Sequence, residues 1–195
     1  MTALREPEGW IDEASYLGGE DHAPCRHEYV RGHVHAMAAG TGAHNEVSLS
    51  LATSFRDALR GKSCRAYMAD MKLRIGFLDG AVFYYPDVMV ACDDTPSDPR
   101  FREQPIILAE VPSSSTERAD SHEKLMAYRL IPSLRHYLMV RHDRWQIEHV
   151  RRLQGDEWTT ALLREPRDAL ELPEIALSLT IAEIYADTGA LPPFE

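Results

Sequence analysis

The chain alternates between stretches that read as strands and stretches that read as helices. Trp10-Ile-Asp-Glu-Ala-Ser-Tyr-Leu17 has the spacing of a short helix, which Gly18-Gly19 is expected to end. Residues 28–38 read as two short strands around a turn at Arg31-Gly32. From Gly42 to Leu59, the apolar residues Val47, Leu49, Leu51, Phe55, Ala58 and Leu59 read as an amphipathic helix, with Thr41 as N-cap and Gly61 beyond the end. Residues 65–75 alternate apolar and polar, whereas 81–90 are almost continuously apolar and so read as a central strand. A charged loop carrying Pro96 and Pro99 leads to Pro105 and a third buried strand, Ile106–Val111. Ser113-Ser-Ser-Thr116 then caps a helix reaching about Leu130, which Pro132 prevents from continuing. Residues 136–140 and 145–150 read as a strand pair with its turn near His142-Asp143. Residues 151–195 suggest a strand or two and a terminal helix packing on the core. The order predicts one α/β (α+β) domain, a mixed sheet flanked by helices.

Composition narrows the class. With 44% apolar residues and 27% charged residues of mixed sign, the chain reads as globular. No run approaches the ~20 apolar residues of a membrane span, and the first nine residues lack the apolar core of a signal peptide. The three cysteines, Cys25, Cys64 and Cys92, are odd in number and far apart. Reduced thiols and a cytoplasmic location are therefore expected. The formal charge of −10 argues against a broad basic surface but leaves room for a small groove where a metal bridges carboxylate and phosphate.

Two acids interrupt the apolar strands. Asp87 follows Tyr85-Pro86 late in one run, and Glu110 lies within Leu108-Ala-Glu-Val111. A buried carboxylate is costly unless paired or metal-bound. Two on neighbouring strands raise each other's pKa unless a cation lies between them. A hard cation such as Mg²⁺, which takes oxygen ligands, is the expected answer. Downstream, Asp120, Lys124 and Tyr128 share a helix face at i, i+4 and i+8. A strand, a tight turn and a returning helix bring that face back toward Glu110.

Together, Pro86-Asp87, Glu110-Val111-x-Ser113-x-Ser115-Thr116 and Asp120-x-x-x-Lys124-x-x-x-Tyr128 resemble the Uma-type family of putative restriction endonucleases, in the PD-(D/E)XK nuclease superfamily. The likeness extends to His27–Gly32, His44, Asp70 and Leu134–Val140, and spans about residues 10 to 150. It implies a restriction-endonuclease-like core and an endodeoxyribonuclease that hydrolyses phosphodiester bonds in DNA with Mg²⁺ or Mn²⁺. Asp87, Glu110 and the Val111 carbonyl would hold the metal. Lys124 would serve as the catalytic lysine, supplied by the following helix because Pro112 stands where the superfamily usually has it. Glu28 and His44 offer a further ligand or a proton-transfer group, Asp70 lies in the next strand, Asp120 would hold Lys124, and Tyr128 would pack behind it. Cutting both strands of a duplex favours a homodimer. Pro112 and the acidic charge motivate an alternative, a catalytically inactive module with a binding or regulatory role. Arg141, Arg144, Arg151 and Arg152 form the most basic stretch.

Overall fold

The protein is described from a computed structural model covering residues 9–78, 80–93, 95–112, 122 and 124–192. Two sheets carry the fold. The first has five strands in the order β2 (His33–Ala36), β1 (His27–Val30), β5 (Gly80–Tyr84), β4 (Lys72–Phe77) and β7 (Phe101–Arg102). The second has six, in the order β11 (Trp158–Leu163), β10 (Ile147–Arg152), β9 (His136–Val140), β8 (Pro105–Glu110), β6 (Val88–Ala91) and β3 (Arg65–Met68). It is mixed, because β8 runs parallel to β9 and antiparallel to β6. A two-stranded unit, β12 (Ala169–Leu172) and β13 (Leu177–Thr180), follows.

Strand alternation assigns each sheet face its own core. Val88, Val90, Ile107, Ala109, Leu138 and Val140 face helix α2 (Gly42–Ala58) and the C-terminal residues Leu170, Leu172, Ile181 and Ile184. The intervening residues Met89, Leu108, Tyr137 and Met139 face the five-stranded sheet through Leu73, Ile75 and Val82. Helical residues 124–128 (α3) pack in that same interior through Leu125 and Tyr128. The far face of the five-stranded sheet is covered by α1 (Glu13–Glu20), where Tyr16 and Leu17 meet Tyr29 and Phe83. The chain ends in a short helix, α4 (Ile181–Ile184), with a Thr180–Glu183 capping box. Among the described residues, no helix is long and apolar enough to cross a membrane.

Several elements differ from the sequence reading. Asp12 opens α1, its side chain accepting from the Ser15 N–H, and the helix runs through Gly18-Gly19 to Glu20 instead of ending there. The run 65–75 divides into β3 and β4, and 81–90 divides into β5 and β6, with each half in a different sheet. Ala69 at φ 58° and Pro86 mark the crossings, where the chain must leave one sheet before entering the next. Three arginines of the basic stretch have structural partners. Arg141 and Arg144 pair with Asp143, while Arg152 is held by Asp156 and the carbonyls of Arg129 and Ile131.

The expectation of reduced thiols is also corrected. Cys64 and Cys92 form a disulfide, leaving Cys25 free and exposed. Arg65 pairs with Ala91 across β3 and β6, so the two cysteines are opposed at the end of that ladder. Closing the 28-residue separation restricts the unfolded chain by about 3–4 kcal/mol. Denatured, unreduced protein should therefore titrate as one thiol per chain and reduced protein as three; three before reduction would show that the bridge is absent.

A buried polar chain ties the sheet to the C-terminal unit. His136 Nδ1 lies 2.8 Å from His149 Nε2, and His136 Nε2 lies 2.6 Å from Glu174 Oε2. Burial, with the neighbouring His136 and Arg151, pushes His149 down to about 4. The unfolded imidazole takes a proton near pH 6.5, while the folded one does not until about pH 4. Unfolding thus takes up a proton in that window, and stability falls as pH drops through it. Urea unfolding at pH 7, 6, 5 and 4 should show a loss on the order of 2–3 kcal/mol. In His149→Phe the slope should flatten, whatever that variant's absolute stability.

Candidate active site

The crossing between sheets creates the site. Val88 pairs with Ala109 and Met89 with Leu108, so the register extended by one residue sets Asp87 opposite Glu110. Opposed residues of an antiparallel pair share a face. The face is the interior one, because Leu108 and Met89 point there. Glu110 is 6% exposed, as it stands at the end of a central strand flanked by β6 and β9.

Asp87 is held from two sides. The Val111 N–H donates to its Oδ2 at 2.7 Å, and His44 Nε2 lies 2.8 Å from its Oδ1. His44 reaches it from the first turn of α2, where its own N–H donates to the capping Thr41 hydroxyl at 3.3 Å. Gly40 makes room for that ring, since a Cβ there would stand 2.6 Å from His44 Nδ1.

Lys124 enters from α3. Its Nζ donates to Glu28 Oε1 at 2.6 Å and lies 5.2 Å from the centre of the Tyr84 ring. Glu28 and Tyr84 come from β1 and β5, so the five-stranded sheet fixes a lysine that the helix supplies. One turn on, the Tyr128 hydroxyl donates to Glu110 Oε1 at 2.7 Å. Tyr128 was expected to pack behind Lys124; it instead binds the second acid directly, because the helix face that carries both residues lies over the end of β8.

The electrostatics follow from burial. Desolvation pushes the Glu110 carboxyl up to about 8, opposed by the Lys124 charge and the Tyr128 hydroxyl and reinforced by Asp87 and Glu28. Three acids and one lysine thus sense one another in a space poor in water. The strand register sets two carboxylates, Asp87 and Glu110, side by side on this face. Among the described residues, no three His, Cys, Asp or Glu side chains converge as a self-sufficient ligand set.

Two candidates lie elsewhere. Asp70 turns into an exposed ion pair with Arg26 at 2.9 Å, outside this cluster. Asp120 lies outside the described residues. Sequence reading missed Tyr84, whose position next to the conspicuous Tyr85-Pro86-Asp87 gives no sign of which face it takes until the strand register is known.

Comparison with known proteins adds to this geometry. Residues 13–182 match the Uma2 family, described as putative restriction endonucleases. The chain belongs to that family. It is 33% identical over 178 residues to the uncharacterized protein slr1290 of Synechocystis sp., covering 90% of this chain and 91% of that protein. It is 27% identical over 155 residues to a second uncharacterized Synechocystis protein, sll1609, covering 76% and 84% of the two chains. Its fold is similar to the crystal structure of a putative nuclease belonging to DUF820 from Anabaena variabilis. That match has a TM-score of 0.67 at 18% identity and covers 90% of this chain and 98% of that one. The Uma2 assignment spans β12, β13 and the first half of α4, as well as the site itself.

The raised Glu110 carboxyl has a consequence for metal-free Uma2 protein. The unfolded carboxyl ionises near 4.5, the folded one near 8, so unfolding releases a proton between those values. This group's contribution is fully present below pH 4.5 and is lost as pH rises through 8. Thermal melts in a chelator should show Glu110→Gln losing less stability than the parent between pH 6 and 9, by an amount on the order of a few kcal/mol; parallel curves would count against a buried, proton-holding Glu110.

Proposed function

We propose that this Uma2 protein is a metal-dependent endodeoxyribonuclease whose active centre is Asp87, Glu110 and Lys124. The observation that carries the reading is the opposition of two buried-face acids, with a nearly buried lysine held beside them by Glu28 and Tyr84. A divalent cation between the two acids would offset both the burial and the mutual repulsion that hold Glu110 above the usual carboxylate range.

The donor set fits Mg²⁺ or Mn²⁺, with Asp87, Glu110 and the Val111 carbonyl as ligands. Bound there, the ion's chemistry is to offset charge on the scissile phosphate and to lower the pKa of an attacking water. The chain's own residues do the rest. The Val111 N–H and His44 fix the Asp87 carboxylate, so that it meets substrate without reorganisation. Tyr128 fixes one oxygen of Glu110. Lys124 orients the water or neutralises the negative charge that develops as the phosphorus–oxygen bond to the leaving alcohol breaks. Glu28 and Tyr84 hold its amine in place, which a long flexible stem requires. His44, hydrogen-bonded to Asp87, is also placed to relay a proton. Double-strand cleavage would use two copies related by a two-fold axis.

The test is incubation of purified protein with plasmid and linear DNA in Mg²⁺ or Mn²⁺. The parent should nick or cut, Asp87→Ala should be silent, and Lys124→Met should be slower by a factor on the order of 10²–10³. Glu28→Gln should cost less than Lys124→Met, because the amine remains. Equal activity in parent and Asp87→Ala, or none in either across several substrates, would favour the non-catalytic alternative.

A further inference from the structure

The Cys64–Cys92 bridge lies at the edge of the six-stranded sheet, where β3 is the last strand. Cys64 is half-buried and forms part of the wall of an open pocket of about 450 Å³. The pocket sits where α2 ends and β3 begins. Arg56, Arg60, Lys62 and Arg65 line it as well, and no acid is among its described lining residues. A bond that can exchange thus borders a cationic depression on the surface of an acidic chain.

Partner by partner, the pocket keeps an excess of positive charge. Arg60 is cancelled by Asp57, whose Oδ1 accepts from its Nε at 3.0 Å and its Nη2 at 2.8 Å. Lys62 donates to the Ile175 carbonyl at 2.6 Å, and Arg65 Nη1 donates to the Cys64 carbonyl at 3.1 Å. Carbonyl oxygens orient these groups without neutralising them. Among the described residues, no acid pairs with Arg56, Lys62 or Arg65. The end of α2 supplies the equivalent of about half a negative charge, which three cations exceed. Cys92, by contrast, is followed by Asp93-Asp94 in the chain. An anion therefore approaches the bridge more readily from the Cys64 side.

We propose that this pocket admits a small thiol carrying a carboxylate, which exchanges with the bridge at Cys64. Its thiolate attacks Cys64 Sγ, the Cys64–Cys92 bond breaks, and Cys92 leaves as a thiolate that takes a proton from water. The product is a mixed disulfide on Cys64 and a free thiol at Cys92. A second thiolate of the same kind then attacks the mixed disulfide. It releases Cys64 as a thiolate and carries the first thiol away as a small symmetrical disulfide. The carboxylate is held among Arg56, Lys62 and Arg65, which raises the local concentration of the attacking group. This role is independent of the proposed nuclease chemistry.

The test follows loss of the bridge in the full chain by acid quenching, alkylation and mass measurement. Mercaptopropionate, mercaptoethanol and cysteamine are compared at low salt, being anionic, neutral and cationic beyond their sulfur. Each rate is divided by the thiolate fraction and by the same thiol's rate on uncharged hydroxyethyl disulfide. The corrected rate should be about tenfold or more higher for mercaptopropionate than for cysteamine, with mercaptoethanol between them. The preference should fade in about 1 M salt, where charges are screened within ~3 Å. Arg56→Glu should shrink it, and Arg56→Glu/Lys62→Glu should reverse it. Both side chains are exposed, so the variants should melt near the parent. The first adduct should be found on Cys64. Equal corrected rates for the three thiols, a preference unchanged in the variants or by salt, or a first adduct on Cys92 overturns the proposal. So does a parent that titrates as three thiols before reduction.

Discussion

The desolvation of Glu110 is the constraint around which this site is organised. A carboxylate at the end of a central strand loses most of its hydration, and the acid opposite makes its ionisation harder still. An unpaired buried charge is among the most destabilising features a fold can carry. Each neighbour of Glu110 answers that problem. Lys124 brings the opposite charge, Tyr128 a hydroxyl donor, and the Val111 N–H and His44 hold the second acid so that its charge is placed rather than diffuse. The lysine is itself 7% exposed and would be costly alone, and Glu28 and the Tyr84 ring face it. Removing one member leaves another uncompensated, so the cluster behaves as a unit.

On the proposed reading, that interdependence lets a helix lysine stand in for one two positions after the acid. Pro112 fills that place and has no N–H to donate. A helix lysine can substitute only if something fixes its end, since four rotatable bonds otherwise disperse the amine over a wide volume. The five-stranded sheet supplies the fixing groups from β1 and β5. The two sheets therefore have distinct tasks: the six-stranded one carries the acids, and the five-stranded one aims the lysine.

Much of this was legible in the residues, for a physical reason. Asp87 and Glu110 break apolar runs, and a buried acid in a strand is improbable enough to mark itself. The α2 span was readable because Val47, Leu51 and Phe55 keep helical spacing behind a threonine cap. What escaped was long-range. The division of 65–75 and 81–90 between two sheets leaves no local trace, because both halves remain strand-like. The Cys64–Cys92 bridge depends on β3 lying beside β6, strands 20 residues apart with a different sheet between them in sequence. Tyr84 and Asp70 were misjudged or missed for the same reason, since the face a residue takes follows from register, which spacing alone does not give.

The acidic charge of the chain then reads differently. A net of −10 opposes general attraction to DNA, so any affinity has to be local. Near the site the arginines are already engaged, Arg26 by Asp70, Arg141 by Asp143, and Arg152 by Asp156 and two carbonyl oxygens. A uniformly basic surface would hold a duplex in many orientations. Local attraction holds it in few, and productive geometry at a buried carboxylate pair tolerates few.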